Sequence, residues 1–250
     1  MDDSQLAQVL KSRKVLKEIL SDSGGDYPGR NEYDFDEELI DIEPEDLSEP
    51  EDYNFTVSHK DISDWKLHVV YLKFPSEDER TSVNIQKANI EGERDKIFGK
   101  PDEEGLGNKE DNIIIIVPLK TSTAAATYIN YVDNVNMTTE KPDGSSELAK
   151  KIIEKGYETR HMGNIQIFHI NALTINILKH EMVPKHEIIR NEKEIFKILE
   201  DHNCSNKVQF PIIQKHDAIS EVLGLIPGDM VKIYRVSITS GESEFYRICK

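Results

Sequence analysis

Apolar residues recur at helical spacing near the start of the chain. The spacing over 4–20 predicts an amphipathic helix, with Ser4 as its N-cap and a glycine pair at 24–25 after its end. Its apolar positions are Leu6, Val9, Leu10, Leu16, Ile19 and Leu20. Residues 65–74 are rich in β-branched and aromatic residues, which predicts a strand.

The middle of the chain has the pattern of a sheet covered on both faces. A polar, glycine-punctuated connection at 75–112 leads to a run at 113–119 that is apolar on both faces. Such a run is typical of a strand inside an α/β layer. The pattern then predicts, in order, a helix at 122–134, a loop at 136–146, a helix at 147–155 with Leu148, Ile152 and Ile153 inward, and a short strand at 164–168.

The last third of the chain predicts shorter elements. Asp217 can cap a helix that runs to about residue 223, and Gly224 suits the left-handed position that ends it. The other predicted elements are a helix at 192–202 with Ile195, Phe196, Ile198 and Leu199 as its apolar side, a strand at 210–214, a turn at 227–229, and a hairpin of 230–237 with 244–249.

The composition narrows the class of protein. Of 250 residues, 37% are hydrophobic and 31% are charged, and the mean hydropathy is -0.55. These values are typical of a soluble globular protein with a highly solvated part. The longest apolar run is too short to span a membrane, and the first residues lack a signal-peptide pattern, so the chain is expected to stay inside the cell. Cys204 and Cys249 are too few for a disulfide framework and are expected to be ordinary buried or half-buried thiols.

The charge is concentrated in the front of the chain. The net charge is -16, yet residues 176–250 carry 11 Lys and Arg against 11 Asp and Glu, so the acidic excess lies before residue 176. Residues 31–58 contain no Lys or Arg, which predicts a flexible acidic loop or, alternatively, a segment that orders on a basic partner. An acidic surface repels phosphate, so a protein partner is expected rather than a broad nucleic-acid interface.

Two His-Glu pairs occur in the segment 176–189, NILKHEMVPKHEII. His180 and His186 are six residues apart, which matches no common zinc spacing, and Pro184 prevents one helix from carrying both. A metal site would require further ligands from Glu181, Glu187 or Cys204. Because Pro184 restricts Val183 to an extended conformation and cannot donate to a ladder, the sequence favours an edge strand or crossover here.

The sequence offers little support for catalysis. It has neither of the glycine-rich phosphate loops and no G-x-S-x-G elbow. The acidic residues at 101–104 leave a metal-dependent nuclease as an alternative, although no following strand supplies a Glu-x-Lys pair. We therefore predict no catalytic residue, no metal and no cofactor.

The segment 176–189 resembles the start of the C-terminal assembly domain of the fifth-largest subunit of eukaryotic RNA polymerases, a family that includes the corresponding archaeal subunit. The residues that continue the resemblance are Pro211, Ile213, Asp217, Gly224, Leu225, Gly228, Val231, Lys232, Ile233, Arg235, Ser237, Thr239, Gly241, Tyr246 and Arg247. Ala218 replaces the family's usual proline, and an extra residue loosens the match around 242–245. In the front of the chain the likeness is limited to the first helix and the strand at 113–117.

The resemblance implies an α/β N-terminal jaw domain at 1–173, with an acidic loop at about 21–63, and a small α+β C-terminal assembly domain at 174–250. It implies a non-catalytic subunit that docks on the largest polymerase subunit, contacts other polymerase subunits, and holds its jaw near downstream DNA. No membrane and no small-molecule substrate are expected. The residues it suggests for partner binding are His180, Pro184, Lys185, His186, Asp217, Arg235, Tyr246 and Arg247. Each of these could instead stabilise the small domain itself.

The thin match in the front of the chain suggests a divergent family member from a protist or a large DNA virus. The expected location is the nucleus for a cellular eukaryotic protein, and the virion or host cytoplasm for a viral one. The alternative function is an acidic adaptor that works outside the polymerase core.

Overall fold

The computed structural model describes residues 3–21, 30, 32–35, 50–74, 87–99, 105–118, 132–133, 136, 142, 144–237 and 241–250. These residues form a mixed α/β structure with two sheets. Four predicted segments lie wholly or mostly outside the described residues: the acidic residues 36–49, the acidic stretch 101–104, the helix at 122–134 and the hairpin tip at 238–240.

The first sheet contains five strands in the order β1-β2-β3-β4-β5. β1, β2 and β3 pair antiparallel, whereas β4 runs parallel to both β3 and β5. The strands are β1 (Tyr33–Asp34), β2 (Phe55–His59), β3 (Lys66–Tyr71), β4 (Asn112–Val117) and β5 (Ile165–His169). The strands predicted at 65–74, 113–119 and 164–168 are therefore confirmed.

β4 is covered on both faces, as its apolar run predicts. Ile114 and Ile116 face the apolar cluster that contains helix α1 (Asp3–Ser21). Ile113 and Ile115 face a second cluster with helix α2 (Lys87–Phe98), which contributes Ile90 and Ile97. Parallel strands with helices on both faces are the α/β arrangement that a doubly apolar strand requires.

Two parts of the sequence interpretation were wrong. The segment 31–58, predicted as a loop, supplies strands β1 and β2 and a 3-10 helix at Pro50–Tyr53. In β2 the side chains of Phe55, Val57 and His59 alternate inward, so the strand has a buried face despite its acidic surroundings. The connection 75–112 contains helix α2, whose apolar positions are too sparse to predict it.

Helix boundaries and faces also differ in detail. α1 begins at Asp3, so Ser4 lies inside it rather than at its N-cap. In helix α3 (Glu147–Glu154), Ala149 and Ile152 are buried but Ile153 is 43% exposed. Successive residues are about 100° apart around a helix, so an apolar stripe is well defined only over several turns. The inward face of the long helix α1 is therefore easier to predict than that of a short helix.

Ser146 caps the N-terminus of α3, because its Oγ accepts a hydrogen bond of 2.9 Å from the backbone N–H of Ala149. We expect Ser146→Ala to lower the free energy of unfolding by about 1 kcal/mol, since one orphan helix donor loses its acceptor. Urea unfolding measures this loss. Ser146→Asn, which restores an acceptor for the helix and keeps a donor for Glu110, is the matched control and should recover most of it; equal losses in both variants would contradict the capping role.

The second sheet has the order β6-β8-β9-β7. β8 pairs antiparallel with β6 and with β9, which confirms the predicted hairpin, and β7 pairs parallel with β9. Its strands are β6 (Lys185–Ile189), β7 (Ile212–Ile213), β8 (Met230–Ser237) and β9 (Gly241–Cys249). β6 lies at an edge, as the proline at 184 predicts.

Two helices accompany the second sheet. α4 (Glu192–Asp201) buries Ile195 and Ile198 against one face of it, but Phe196 is 68% exposed and does not belong to the apolar side predicted for this helix. α5 (Ala218–Leu223) is capped by Asp217 and ends at Gly224, whose φ of 66° is left-handed, so both predicted end signals are confirmed.

The two sheets share one apolar cluster. It contains α1 residues, Ile114 of the first sheet, and Val231 and Cys249 of the second sheet. A polar contact also joins the part of the chain before residue 174, the first unit, to the part after it, the second unit: the Lys179 Nζ lies 3.0 Å from Glu18 Oε2. The burial of Cys249 in this cluster, with Cys204 half-buried, confirms the expected role of both thiols. No helix among the described residues is long and apolar enough to cross a membrane.

Candidate functional site

One face of the second sheet brings together several of the residues singled out from the sequence. His186 of β6 pairs with Ile233 of β8, which in turn pairs with Phe245 of β9. Side chains alternate between the two faces of a strand, so residues two apart share a face. We call the resulting set, His186, Arg235, Phe245 and Arg247, the arginine face.

His186 is the buried member of the arginine face. Its Nδ1 donates a 2.6 Å hydrogen bond to the carbonyl of Pro184. Burial is the main cause that lowers the pKa of His186; the Pro184 bond and Asp217 oppose it, and the charges of Arg235 and Arg247 add to it. His186 is therefore neutral at pH 7 and positions the edge strand rather than supplying a charge.

Arg235 and Phe245 are the exposed members of the arginine face, and Arg247 is half-buried. The Arg235 guanidinium carbon lies 5.1 Å from the centroid of the Phe245 ring, which is 45% exposed. Arg247 Nη1 donates to the carbonyl of Ile212 at 3.3 Å. Neither arginine forms an ion pair with a carboxylate in the described part of the chain. An exposed aromatic ring with two cations lacking counter-ions suits an interface with a partly acidic partner.

The structure places the remaining predicted residues in different surroundings. Asp217 is exposed, and its carboxylate accepts from the N–H of Ile219 at 3.0 Å, close enough to the arginine face to act on His186. His180 is exposed and lies before β6, where its Nδ1 accepts from the N–H of Met182 at 3.2 Å. Both residues remain accessible to a partner.

Lys185 and Tyr246 lie on the opposite face of the sheet. The Lys185 ammonium is 5.3 Å from the Tyr234 ring centroid. The Tyr246 ring packs edge-on against His202 at 5.1 Å, and its hydroxyl donates to Glu244 at 3.0 Å. Through these contacts Tyr246 helps to pack α4 against the sheet.

Sequence reasoning missed Phe245, because it lies where the family resemblance is loosest. The signal that could have found it is the hairpin register, since alternation in β9 places residue 245 beside residues 235 and 247. It also missed the groups between the two sheets. Glu32 and Arg190 form an ion pair over a sequence distance that carries no local pattern.

The described residues contain no group of three or more His, Cys, Asp or Glu side chains arranged to hold a metal ion. His180 and His186 differ in burial, the first exposed and the second buried. The His-Glu pairs of the segment 176–189 therefore supply a turn and an edge strand.

Comparison with known proteins gives a match over the second sheet and its helices. The family model described as RNA polymerase Rpb5, C-terminal domain, matches residues 175–249. The chain is 44% identical over 73 residues to DNA-directed RNA polymerase subunit Rpo5 of Methanosarcina barkeri, covering 29% of this chain and 91% of that protein. It is 46% identical over 71 residues to the subunit Rpo5 of Archaeoglobus fulgidus, covering 28% and 88%. It is 45% identical over 78 residues to that of Methanopyrus kandleri, covering 29% and 84%.

Proposed function

Because the chain belongs to the family of DNA-directed RNA polymerase subunit Rpo5, we propose that it functions in transcription as a subunit of a multisubunit DNA-dependent RNA polymerase. The observation that carries this proposal is the match over nearly the whole length of the archaeal subunits. As a component of an enzyme complex the chain associates with other polymerase subunits, and its own part in the complex is non-catalytic.

The arginine face docks on the largest polymerase subunit. Interfaces are enriched in arginine and aromatic residues at their centre, and a few such residues carry most of the binding energy. Phe245 supplies the apolar contact, and Arg235 and Arg247 supply charges for carboxylates of the partner. His180 and Pro184 extend this docking region at the rim formed by the edge strand β6, and Lys185 continues it around that edge onto the opposite face.

The unit at 1–173, built on the first sheet, is the jaw, and the unit at 174–250 is the assembly domain. The jaw lies near downstream DNA, with a contact that is weak or indirect because the acidic excess of the chain lies in this unit. The protein is nuclear in a eukaryotic cell, or located in the virion or host cytoplasm if a large DNA virus encodes it.

Purification of the tagged full chain from its native source in high salt tests the proposed function. We expect the two largest polymerase subunits in equimolar amounts by quantitative mass spectrometry, because a shape-matched interface withstands screening better than isolated surface ion pairs. Recovery of the chain alone, or with unrelated proteins, would show that the fold serves another role, such as the acidic adaptor.

Arg235→Ala should reduce incorporation into the polymerase about tenfold or more, as expected for loss of a central interface arginine. The isolated chain should keep its stability, since the Arg235 side chain is exposed and its guanidinium packs on the half-exposed Phe245 ring. Competition between differently tagged wild-type and variant chains during assembly measures the effect. Lys197→Ala, which removes an exposed cation from α4, is the matched control. Equal incorporation of the two variants would remove Arg235 from the interface.

A further inference from the structure

A cavity of about 270 Å³ lies between the two sheets. Its walls come from both units: Tyr33, Trp65 and Tyr157 supply aromatic rings, Leu225 supplies an aliphatic surface, and Arg30 and Arg190 supply cations. This volume is close to the lower end of ligand pockets, which begin at about 300 Å³. Mostly apolar walls with a few convergent polar groups are also typical of such pockets.

Most of the positively charged side chains that line the cavity form ion pairs with carboxylates. Arg190 forms an ion pair with Glu32, and Lys215 forms one with Asp133. The remaining paired cation, Arg160, lies 2.9 Å from the carboxylates of both Glu158 and Asp229.

Arg30 differs from the other cations because every acceptor it contacts is neutral. Its Nε donates to the Val222 carbonyl at 3.0 Å, and its Nη2 donates to Gln166 Oε1 at 2.6 Å and to the Glu221 carbonyl at 3.2 Å. Its Nη1 has no hydrogen-bond partner in the part of the chain that the structure describes. Burial lowers the pKa of Arg30, with Glu32 opposing this effect, yet a guanidinium stays protonated in proteins. Among the described residues, Arg30 is therefore a cavity cation that hydrogen-bonds to no carboxylate, with Glu32 as a nearby charge.

The backbone beside Arg30 is shaped to admit the guanidinium. Gly224, at the end of α5, has a left-handed φ of 66°, and a Cβ at this position would overlap the Arg30 guanidinium. The carbonyls at the end of α5 supply only partial negative charge, and this helix has just six residues. They fix the orientation of Arg30 and leave its full charge to be met by a ligand.

We propose that this cavity binds a small organic anion, a carboxylate on an aromatic or apolar body, with the carboxylate on Arg30 and the body against the aromatic walls. Arg30 supplies a charge-assisted hydrogen bond from Nη1. Tyr33, Trp65 and Tyr157 supply the low-polarity surface that an aromatic body needs. The ligand would contact both units and so stabilise their junction. This site is independent of the proposed function, since neither Arg30 nor the cavity belongs to the arginine face.

Three small molecules, tested on the full-length protein, distinguish the contribution of ligand charge to binding from that of ligand shape. Benzoate carries the proposed group, benzamide has the same shape without the charge, and inorganic phosphate is an anion without the apolar body. We expect benzoate to bind with a dissociation constant of about 1 mM or tighter, a reasonable value for so few atoms. Benzamide and phosphate should bind at least about tenfold more weakly, because each lacks one of the two interactions. Protein-observed NMR titration measures all three.

Two variants place the ligand in the cavity. Arg30→Gln should weaken benzoate binding about tenfold or more while leaving benzamide unchanged. Because Arg30 also hydrogen-bonds to carbonyls at the end of α5, Ile226→Trp provides a second test that keeps Arg30 in place. It fills the cavity from a lining position that supplies no acceptor to Arg30, and it should abolish binding of benzoate. Equal binding of benzoate and benzamide, no binding of benzoate at about 10 mM, or unchanged benzoate binding by Ile226→Trp would each overturn the proposal.

Discussion

Ile114→Ala is expected to lower the free energy of unfolding by about 2 to 5 kcal/mol, the range found when a fully buried isoleucine is truncated. Ile114 is 0% exposed. It lies in the interior strand β4, which pairs with β3 on one side and with β5 on the other. The strand ladder prevents the backbone from closing over the missing atoms, so the loss should fall in the upper half of this range.

Ile153→Ala is the matched control, since it deletes the same atoms from a side chain that is 43% exposed. It should cost less than about 1 kcal/mol. Urea unfolding followed by tryptophan fluorescence serves both variants, because Trp65 is 2% exposed in the folded chain. Similar losses in the two variants would contradict the central position of β4 in the core.

Asp229→Ala should lower the free energy of unfolding by about 3 to 5 kcal/mol, because it breaks a buried network and leaves cationic and polar groups without their acceptor. Asp229 is 4% exposed. Its Oδ1 lies 3.0 Å from His161 Nε2 and 2.9 Å from Arg160 Nη2. Its Oδ2 accepts from the N–H of Ile226 at 3.1 Å. His161 and Arg160 belong to the first unit and Asp229 to the second. The substitution should therefore also weaken the contact between the two units.

The network also predicts a dependence on pH. Burial alone would raise the pKa of Asp229, but the hydrogen bond and charge of His161, the charge of Arg160 and the Ile226 N–H outweigh burial and lower it. Its contribution to stability is therefore complete above the unfolded value near 3.8 and is lost as the pH falls through the lower folded value. In Asp229→Asn this part of the acid sensitivity should disappear.

To test whether stability is lost as the pH falls, the free energy of unfolding is measured at pH 7 and at successively lower pH. The wild type and Asp229→Asn are compared at each pH. The difference between the two proteins should shrink as the medium becomes more acidic. A difference that stays constant down to acid pH would mean that Asp229 does not titrate with a lowered pKa. A cycle with His161→Ala measures the coupling across the junction, which should exceed about 1 kcal/mol for groups in one buried network.

Elements with strong local patterns were predictable from the sequence. The apolar positions of α1 recur at helical spacing, and the hairpin β8–β9 is bounded by turn signals. β4 has no period, but it is a short run of β-branched residues, which favours a buried strand. The alternation of inward and outward side chains in β2 is also visible in the sequence. The many acidic residues around it nevertheless favoured the prediction of a loop. α2 offers Ile90 and Ile97 seven residues apart and little else, so packing on the sheet decides its conformation.

Contacts between distant residues account for what the sequence could not reveal. His161 and Asp229 meet although 68 residues separate them, and no single-chain pattern encodes such a pair. Arg13 is another case: its guanidinium lies 4.6 Å from the Phe55 ring centroid, so a charged residue occupies a buried position of α1. Within the arginine face, residue types and strand alternation were readable, whereas the burial of His186 depended on tertiary packing.

The apolar cluster shared by the two sheets affects how the chain folds as it is synthesised. Its members range from Val9 to Cys249, so the first helix leaves the ribosome long before its core can close. At about 5 to 20 residues per second, roughly 10 to 50 s separate the two ends of this cluster. Until the second sheet is made, the part of the cluster that Val231 and Cys249 cover is open to chaperones and to other nascent chains. Rare codons late in the message should therefore reduce the yield of folded protein more than rare codons near its start.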